Sequence, residues 1–146
     1  MEKFISKSYE ETVLLGKKFA EGLEKEIFIA LYGDLGAGKT AFVKGMVKSF
    51  LPDAIVTSPT YNIVNTYSEG DFILHHYDMY RITDEEDLYS VGFYDNLDNC
   101  IVVAEWCENI PFALPKKRIN VTITKDPDDE NMRFIEMEYI NVKSGS

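Results

Sequence analysis

Beyond Tyr9 the apolar residues Leu15, Phe19 and Leu23 recur every four positions with Ala20 beside them, the spacing that lines one face of a helix. Ser8 followed by Glu11 stands in front of them as a capping-box pair, so the pattern predicts a first helix over about residues 9 to 23. The run Ile27 to Tyr32 is apolar without interruption and rich in strand formers, as a parallel strand covered on both faces should be. Gly33 ends it. Val43, Met46, Val47, Phe50 and Leu51 then fall at i, i+3, i+4, i+7 and i+8, which predicts a helix laid on the sheet and closed by Pro52.

Two extended runs, Tyr61 to Tyr67 and Phe72 to Asp78, flank the turn residues Ser68 to Asp71 and predict a hairpin with a four-residue loop. Thr83 with Glu86 forms a second capping box, starting a short helix that reaches about Val91. Ile101 to Ala104 predicts another buried strand, ending at Glu105. Arg118 to Thr124 and Met132 to Ile140 alternate around an acidic turn and predict an antiparallel pair. No repeat or linker interrupts the chain. The reading is a single α/β domain over residues 1–143, with a mixed sheet flanked by helices and antiparallel hairpins. Residues 144–146, Ser-Gly-Ser, read as a disordered tail.

Composition narrows the function. At 146 residues and 45% hydrophobic content the chain can bury a real core, roughly 68 to 70% of its unfolded surface. Its formal charge of −10 repels nucleic-acid backbones, so stand-alone nucleic-acid binding is not expected. The densest basic group, Lys116-Lys117-Arg118, reads as a solvated edge. Cys100 and Cys107 lack metal or redox spacing, which fits a reduced, cytoplasmic setting, and Cys100 reads as a small buried hydrophobe. No export segment or membrane span is expected.

The chemistry concentrates in Gly33-Asp34-Leu35-Gly36-Ala37-Gly38-Lys39-Thr40. It matches G-x-x-x-x-G-K-[ST] at every fixed position and lies between a predicted strand and a predicted helix, the context of a phosphate-binding P-loop. Glycines let backbone N–H groups curl around phosphate oxygens, the helix N-terminus adds partial positive charge, Lys39 reaches the β- and γ-phosphates, and the Thr40 hydroxyl suits Mg²⁺. The expected fold is therefore P-loop NTPase-like and the expected ligand ATP with Mg²⁺. A magnesium site also wants a strand-end carboxylate, and Glu105 stands where the apolar run 101–104 stops, with Glu108 a second candidate. Either is otherwise an ordinary acid at a strand end or a helix start.

Five further positions carry possible chemistry. His76, Asp78 and Tyr80 alternate, so a continuing strand would put all three on one face, with His75, Tyr77 and Met79 on the other. That face suits metal or water positioning, or simply hydrogen-bonded packing. Arg81 is placed to touch phosphate or to pair with Asp84 or Glu85. In Ser58-Pro59-Thr60-Tyr61, Thr60 fits a nucleotide-sensing switch threonine or a plain turn. Guanine-reading motifs are absent: Thr124-Lys125-Asp126-Pro127 has proline where the base-reading carboxylate belongs, which favours adenine. A small-molecule kinase usually needs several lid arginines, and the chain has only Arg81, Arg118 and Arg133.

Taken together, the loop 33–40, Ser58-Pro59-Thr60-Tyr61, His76-Tyr77-Asp78-Met79-Tyr80-Arg81 and Glu105-Trp106-Cys107-Glu108 resemble the bacterial TsaE family, formerly YjeE, over nearly the whole chain. Tyr61 stands where that family often has Phe. The resemblance implies a small Mg²⁺-dependent, slowly hydrolysing ATPase needed for N6-threonylcarbamoyladenosine (t6A37) modification of tRNAs. It further implies a TsaB–TsaD heterodimer as partner, with tRNA met only through that complex. Carried over residue by residue, it implies phosphate and metal binding by Lys39 and Thr40, and metal or water roles for Glu105 and Asp78. Thr60 then belongs to a switch, Trp106 has a functional role, and Thr12 lies near the adenine. The rival readings are a small-molecule kinase and a nucleotide-gated adaptor without hydrolysis.

Overall fold

A computed structural model of the chain describes residues 1–34, 37–60 and 62–142. Its frame is one seven-stranded sheet: β1 (Glu2–Ser6), β2 (Ile27–Tyr32), β3 (Val64–Glu69), β4 (Phe72–Asp78), β5 (Ile101–Glu105), β6 (Arg118–Lys125) and β7 (Arg133–Ile140), in the spatial order β1-β7-β6-β2-β5-β4-β3. The four inner strands run parallel, β6 beside β2, β2 beside β5 and β5 beside β4. The outer pairs β3–β4, β6–β7 and β1–β7 are antiparallel. This is the mixed α/β sheet that the sequence predicts.

The uninterrupted apolar runs follow from burial on both faces. Ile27, Ile29 and Leu31 join Ile101 and Val103 in a core beneath α1 (Tyr9–Glu21) and α2 (Lys39–Lys48), while Phe28, Ala30, Val102 and Ala104 point to a second core closed by α3 (Glu85–Ser90) and the segment through Phe93 and Ile110. In β4, Leu74 and His76 point to the α1/α2 side and Tyr77 to the other, as the alternation predicts. The register of the inner strands brings Asp78 level with Glu105, and Glu105 level with Leu31. Two carboxylates thus end neighbouring strands where β2 runs out toward the glycine-rich loop. This is the carboxyl edge at which open α/β sheets bind ligands.

Several boundaries differ from the periodicity. β1 went unpredicted because five residues are too few to show a period, and only its pairing with β7 makes them a strand. The first hairpin pairs Glu69 with Phe72, so its loop is Gly70-Asp71 rather than four residues, with Gly70 at φ 58. β3 begins at Val64, three residues later than predicted. α3 is capped by Asp84, whose side chain accepts from Asp87 N, and Thr83 instead donates to the Asp87 carboxylate. α2 ends at Lys48, but Leu51 N still bonds Val47 O, so Phe50 and Leu51 stay on the core ahead of Pro52.

Of the basic cluster, Lys117 pairs with Glu24 and Arg118 donates to Pro115 O and Asn120. Both cysteines are buried and unpaired, and burial pushes the thiol of Cys100 up to about 11 and that of Cys107 up to about 12. Among the described residues, no helix is long and apolar enough to cross a membrane.

α1 and α2 touch through their backbones. A Cβ on Gly45 would lie 1.8 Å from Val13 O, and one on Gly16 would lie 2.1 Å from Phe42 O. Any larger residue must push the helices apart, and α2 begins in the glycine-rich loop. Gly45→Ala should therefore destabilise the fold by about 3 kcal/mol, the upper end for overpacking, as read by urea denaturation. A loss under about 0.5 kcal/mol, the size of an ordinary surface change, would show that the contact is not tight.

Candidate functional site

α2 differs from the other two helices at its start. Ser8 caps α1 and Asp84 caps α3 with side-chain oxygens, and both helices have acidic residues in their first turn. α2 follows Gly38 at φ 102, with no side-chain cap and no acidic residue in its first turn. Phe42 N bonds Gly38 O, and a helix start of this kind presents its leading N–H groups and the positive end of its dipole with no side-chain oxygen of its own to meet them. Such a terminus is suited to phosphate. Leu35 and Gly36 lie outside the described residues. Of the remaining loop positions, Gly33 packs so close to Ile123 O that a Cβ would lie 2.4 Å away, and Ala37 N bonds Asp34 O.

Lys39 opens the helix and turns its ammonium toward the strand ends. Its Nζ lies 3.3 Å from Glu105 Oε1 and 5.7 Å from the centre of the Trp106 ring. The other Glu105 oxygen, Oε2, accepts from Nε2 of fully buried His76 at 2.6 Å. Burial on its own would raise the Glu105 carboxyl. The His76 hydrogen bond and charge, with the Lys39 ammonium, overcome it and hold the group below its ordinary value of 4.5. Asp78, also buried, accepts from Tyr80 N at 2.9 Å.

These groups share a cleft of about 510 Å³ whose walls include Gly38, Lys39, Thr40, Ser58, Thr60, Asp78, Glu105 and Trp106. Cation, hydroxyl and carboxylates thus face one space in front of a helix terminus without a side-chain cap. Among the described residues no cluster of three or more His, Cys, Asp or Glu side chains forms a metal cage. A hydroxyl with one or two carboxylates still suits Mg²⁺, which takes much of its coordination from water and phosphate.

Comparison with known proteins gives the same chain-wide picture. The family model for threonylcarbamoyl adenosine biosynthesis protein TsaE matches residues 6–134. The chain belongs to the TsaE family. Proteins of this family are the tRNA threonylcarbamoyladenosine biosynthesis proteins TsaE. The one from Rickettsia bellii is 35% identical over 136 residues, 92% of this chain and 94% of its own. The one from Haemophilus influenzae is 40% identical over 127 residues, covering 82% and 80% of the two chains. The crystal structure of Bacillus subtilis YdiB superposes with a TM-score of 0.77 at 30% identity, over 96% of this chain and 86% of that one.

The remaining motif residues of this TsaE-family chain divide between two clefts. Thr60 stands in the first, its hydroxyl 2.8 Å from that of Ser58. Arg81 Nη2 donates to Thr60 O at 2.9 Å, an anchor for the 58–60 segment that neither sequence alternative named. Tyr61 lies outside the described residues. Tyr80 does not stay with His76 and Asp78: β4 ends at Asp78, and Tyr80 turns outward to meet Trp106 edge-on, ring centres 5.0 Å apart. Trp106 has φ 59, which turns its ring from the strand line toward Lys39. Glu108 lines the second cleft, about 400 Å³, with Asp34, Thr122 and Thr124, and Lys39 and Trp106 border both spaces.

Thr12 is buried under α2's start: its hydroxyl lies 2.7 Å from Ser6 Oγ, and its methyl would lie 3.7 Å from a Cβ on Gly38. It edges a recess shared with Tyr9, Asn131 and Arg133. Tyr9 and Arg133 also line the first cleft, and sequence reading missed both. Arg133 begins β7 and donates to the carbonyls of Glu130 and Met132. Only the return of the β6–β7 hairpin past Gly38 brings it there.

Because the Glu105 carboxyl is held below 4.5 in the fold, the unfolded chain binds more protons there at acid pH. Glu105 therefore contributes stability that is complete above that value and is lost as pH falls through the lower native one. Glu105→Gln should flatten the acid limb of stability against pH in urea titrations. Parallel limbs for the two proteins would contradict the pairing.

Proposed function

We propose that this TsaE-family chain is a Mg²⁺-dependent ATPase serving t6A37 modification of tRNA in the cytoplasm, and that it acts on a TsaB–TsaD complex. The observation that carries the reading is the uncapped N-terminus of α2, with Lys39 at its mouth and the Glu105 and Asp78 carboxylates opposite. An anion with a metal fits this set. The amides and Lys39 suit the phosphates, and the Thr40 hydroxyl with Glu105 suits the metal. Bound Mg²⁺ would supply charge neutralisation at the phosphates. Asp78, one strand from Glu105, would orient the attacking water. Hydrolysis then joins water oxygen to the γ-phosphorus and breaks that phosphorus's bond to the β–γ bridging oxygen.

In this reading Lys39 exchanges the Glu105 carboxylate for phosphate. Thr60, on a segment tied by Arg81, senses the γ end. Hydrolysis by the protein alone is slow in this reading, and a group supplied in trans can add on the order of 10³ to 10⁵ in rate. The −10 charge makes the chain a poor ligand for tRNA but a suitable one for the basic surface of a tRNA-binding complex. Alternation with tRNA on that surface follows.

Lys39→Ala should abolish binding of an ATP analogue with Mg²⁺ in calorimetry, and unchanged affinity would end the proposal. Asp78→Ala should retain nucleotide but lose turnover, and Glu105→Ala should lose turnover and need more Mg²⁺ for binding, measured as phosphate release with and without the partner pair and as analogue binding against Mg²⁺ concentration. Fast release by the isolated chain would contradict the partner dependence.

A further inference from the structure

The imidazole of His76 is wholly buried on the α1/α2 face of β4, level with Val103 in the neighbouring strand. Nε2 donates to Glu105 Oε2, whereas Nδ1 is buried without a hydrogen-bond partner among the described residues. An unpartnered buried nitrogen is unfavourable, and a leucine in this apolar layer would avoid it. The ring thus makes one polar contact at the expense of another. That contact divides the two oxygens of Glu105: Oε2 is held from beneath by the strand neighbour, and Oε1 faces Lys39 and the cleft.

We propose that His76 is a positioning residue whose Nε2 pins one oxygen of Glu105 and so presents the other to Mg²⁺. This rests on the reading of the cleft as a Mg²⁺–nucleotide site. There, Lys39 leaves Glu105 when phosphate arrives. A glutamate side chain with three rotatable bonds would then be free to turn, and the bond to a fully buried ring is the contact that remains. Hydrogen-bonded partners behind a metal-binding carboxylate act in this way, and removing one typically weakens metal binding or activity by 10- to 100-fold.

The test compares wild type, His76→Leu and His76→Gln, the last supplying an amide donor of similar reach. His76→Leu should raise the Mg²⁺ needed to tighten binding of a non-hydrolysable ATP analogue by about 10- to 100-fold, with metal-free nucleotide affinity and folding unchanged, and His76→Gln should recover most of the loss. If leucine prevents folding, His76→Phe takes its place. Nitrogen-15 NMR of the nucleotide-free protein should show the proton on Nε2, with its signal displaced in Glu105→Gln. Wild-type Mg²⁺ dependence in a folded His76→Leu protein, or an unprotonated Nε2, overturns the positioning role. If wild type lacks Mg²⁺-dependent binding while the Nε2 proton signal persists, the cleft reading fails and takes the metal role with it, leaving only the bond.

Discussion

A buried carboxylate has to be matched by positive charge or hydrogen-bond donors, and the arrangement of this protein's cleft follows from how Glu105 meets that demand. Its two oxygens are taken by different elements, one by an ammonium at the start of α2 and one by an imidazole on β4. Desolvation works against the charge, and the two contacts together outweigh it. Together they keep a carboxylate ionised beneath a helix terminus. They also couple the start of α2 to β4 and β5, so a ligand that draws Lys39 away acts on Glu105 directly.

The helix that presents Lys39 is held by a contact that leaves no room for adjustment. Gly45 and Gly16 bring α1 and α2 into backbone contact, although glycine inside a helix costs about 1 kcal/mol relative to alanine. The closeness sets where α2 begins relative to the sheet, and thereby the distance between its first-turn amides and the ends of β4 and β5. It also carries Thr12 and Tyr9 of α1 to the flank of Gly38. The site is thus an outcome of helix packing as much as of loop sequence.

Lys39 and Trp106 border two clefts of different character. On one side stand the hydroxyls and carboxylates suited to a metal-bound phosphate tail, and on the other Asp34, Glu108 and two threonines. The left-handed backbone at Trp106 puts an aromatic ring between them, against the exposed Tyr80. A change at the lysine is therefore felt on the outer surface through a single layer of side chains.

What the sequence determined by itself was local: continuous apolar runs required strands buried on both faces, a four-residue spacing required helices, and the glycines with Lys39 and Thr40 required a strand-to-helix loop able to wrap an anion. Strand position and alternation singled out Asp78 and Glu105 separately, but their adjacency, on parallel strands apart in the chain, came only through register. β1, the bond between His76 and Glu105, the outward turn of Tyr80 and the presence of Tyr9 and Arg133 in the cleft could not be read from the chain alone. Each depends on which segments meet across long sequence separations, and periodicity records only how a segment divides its own faces, not which neighbour each face will find.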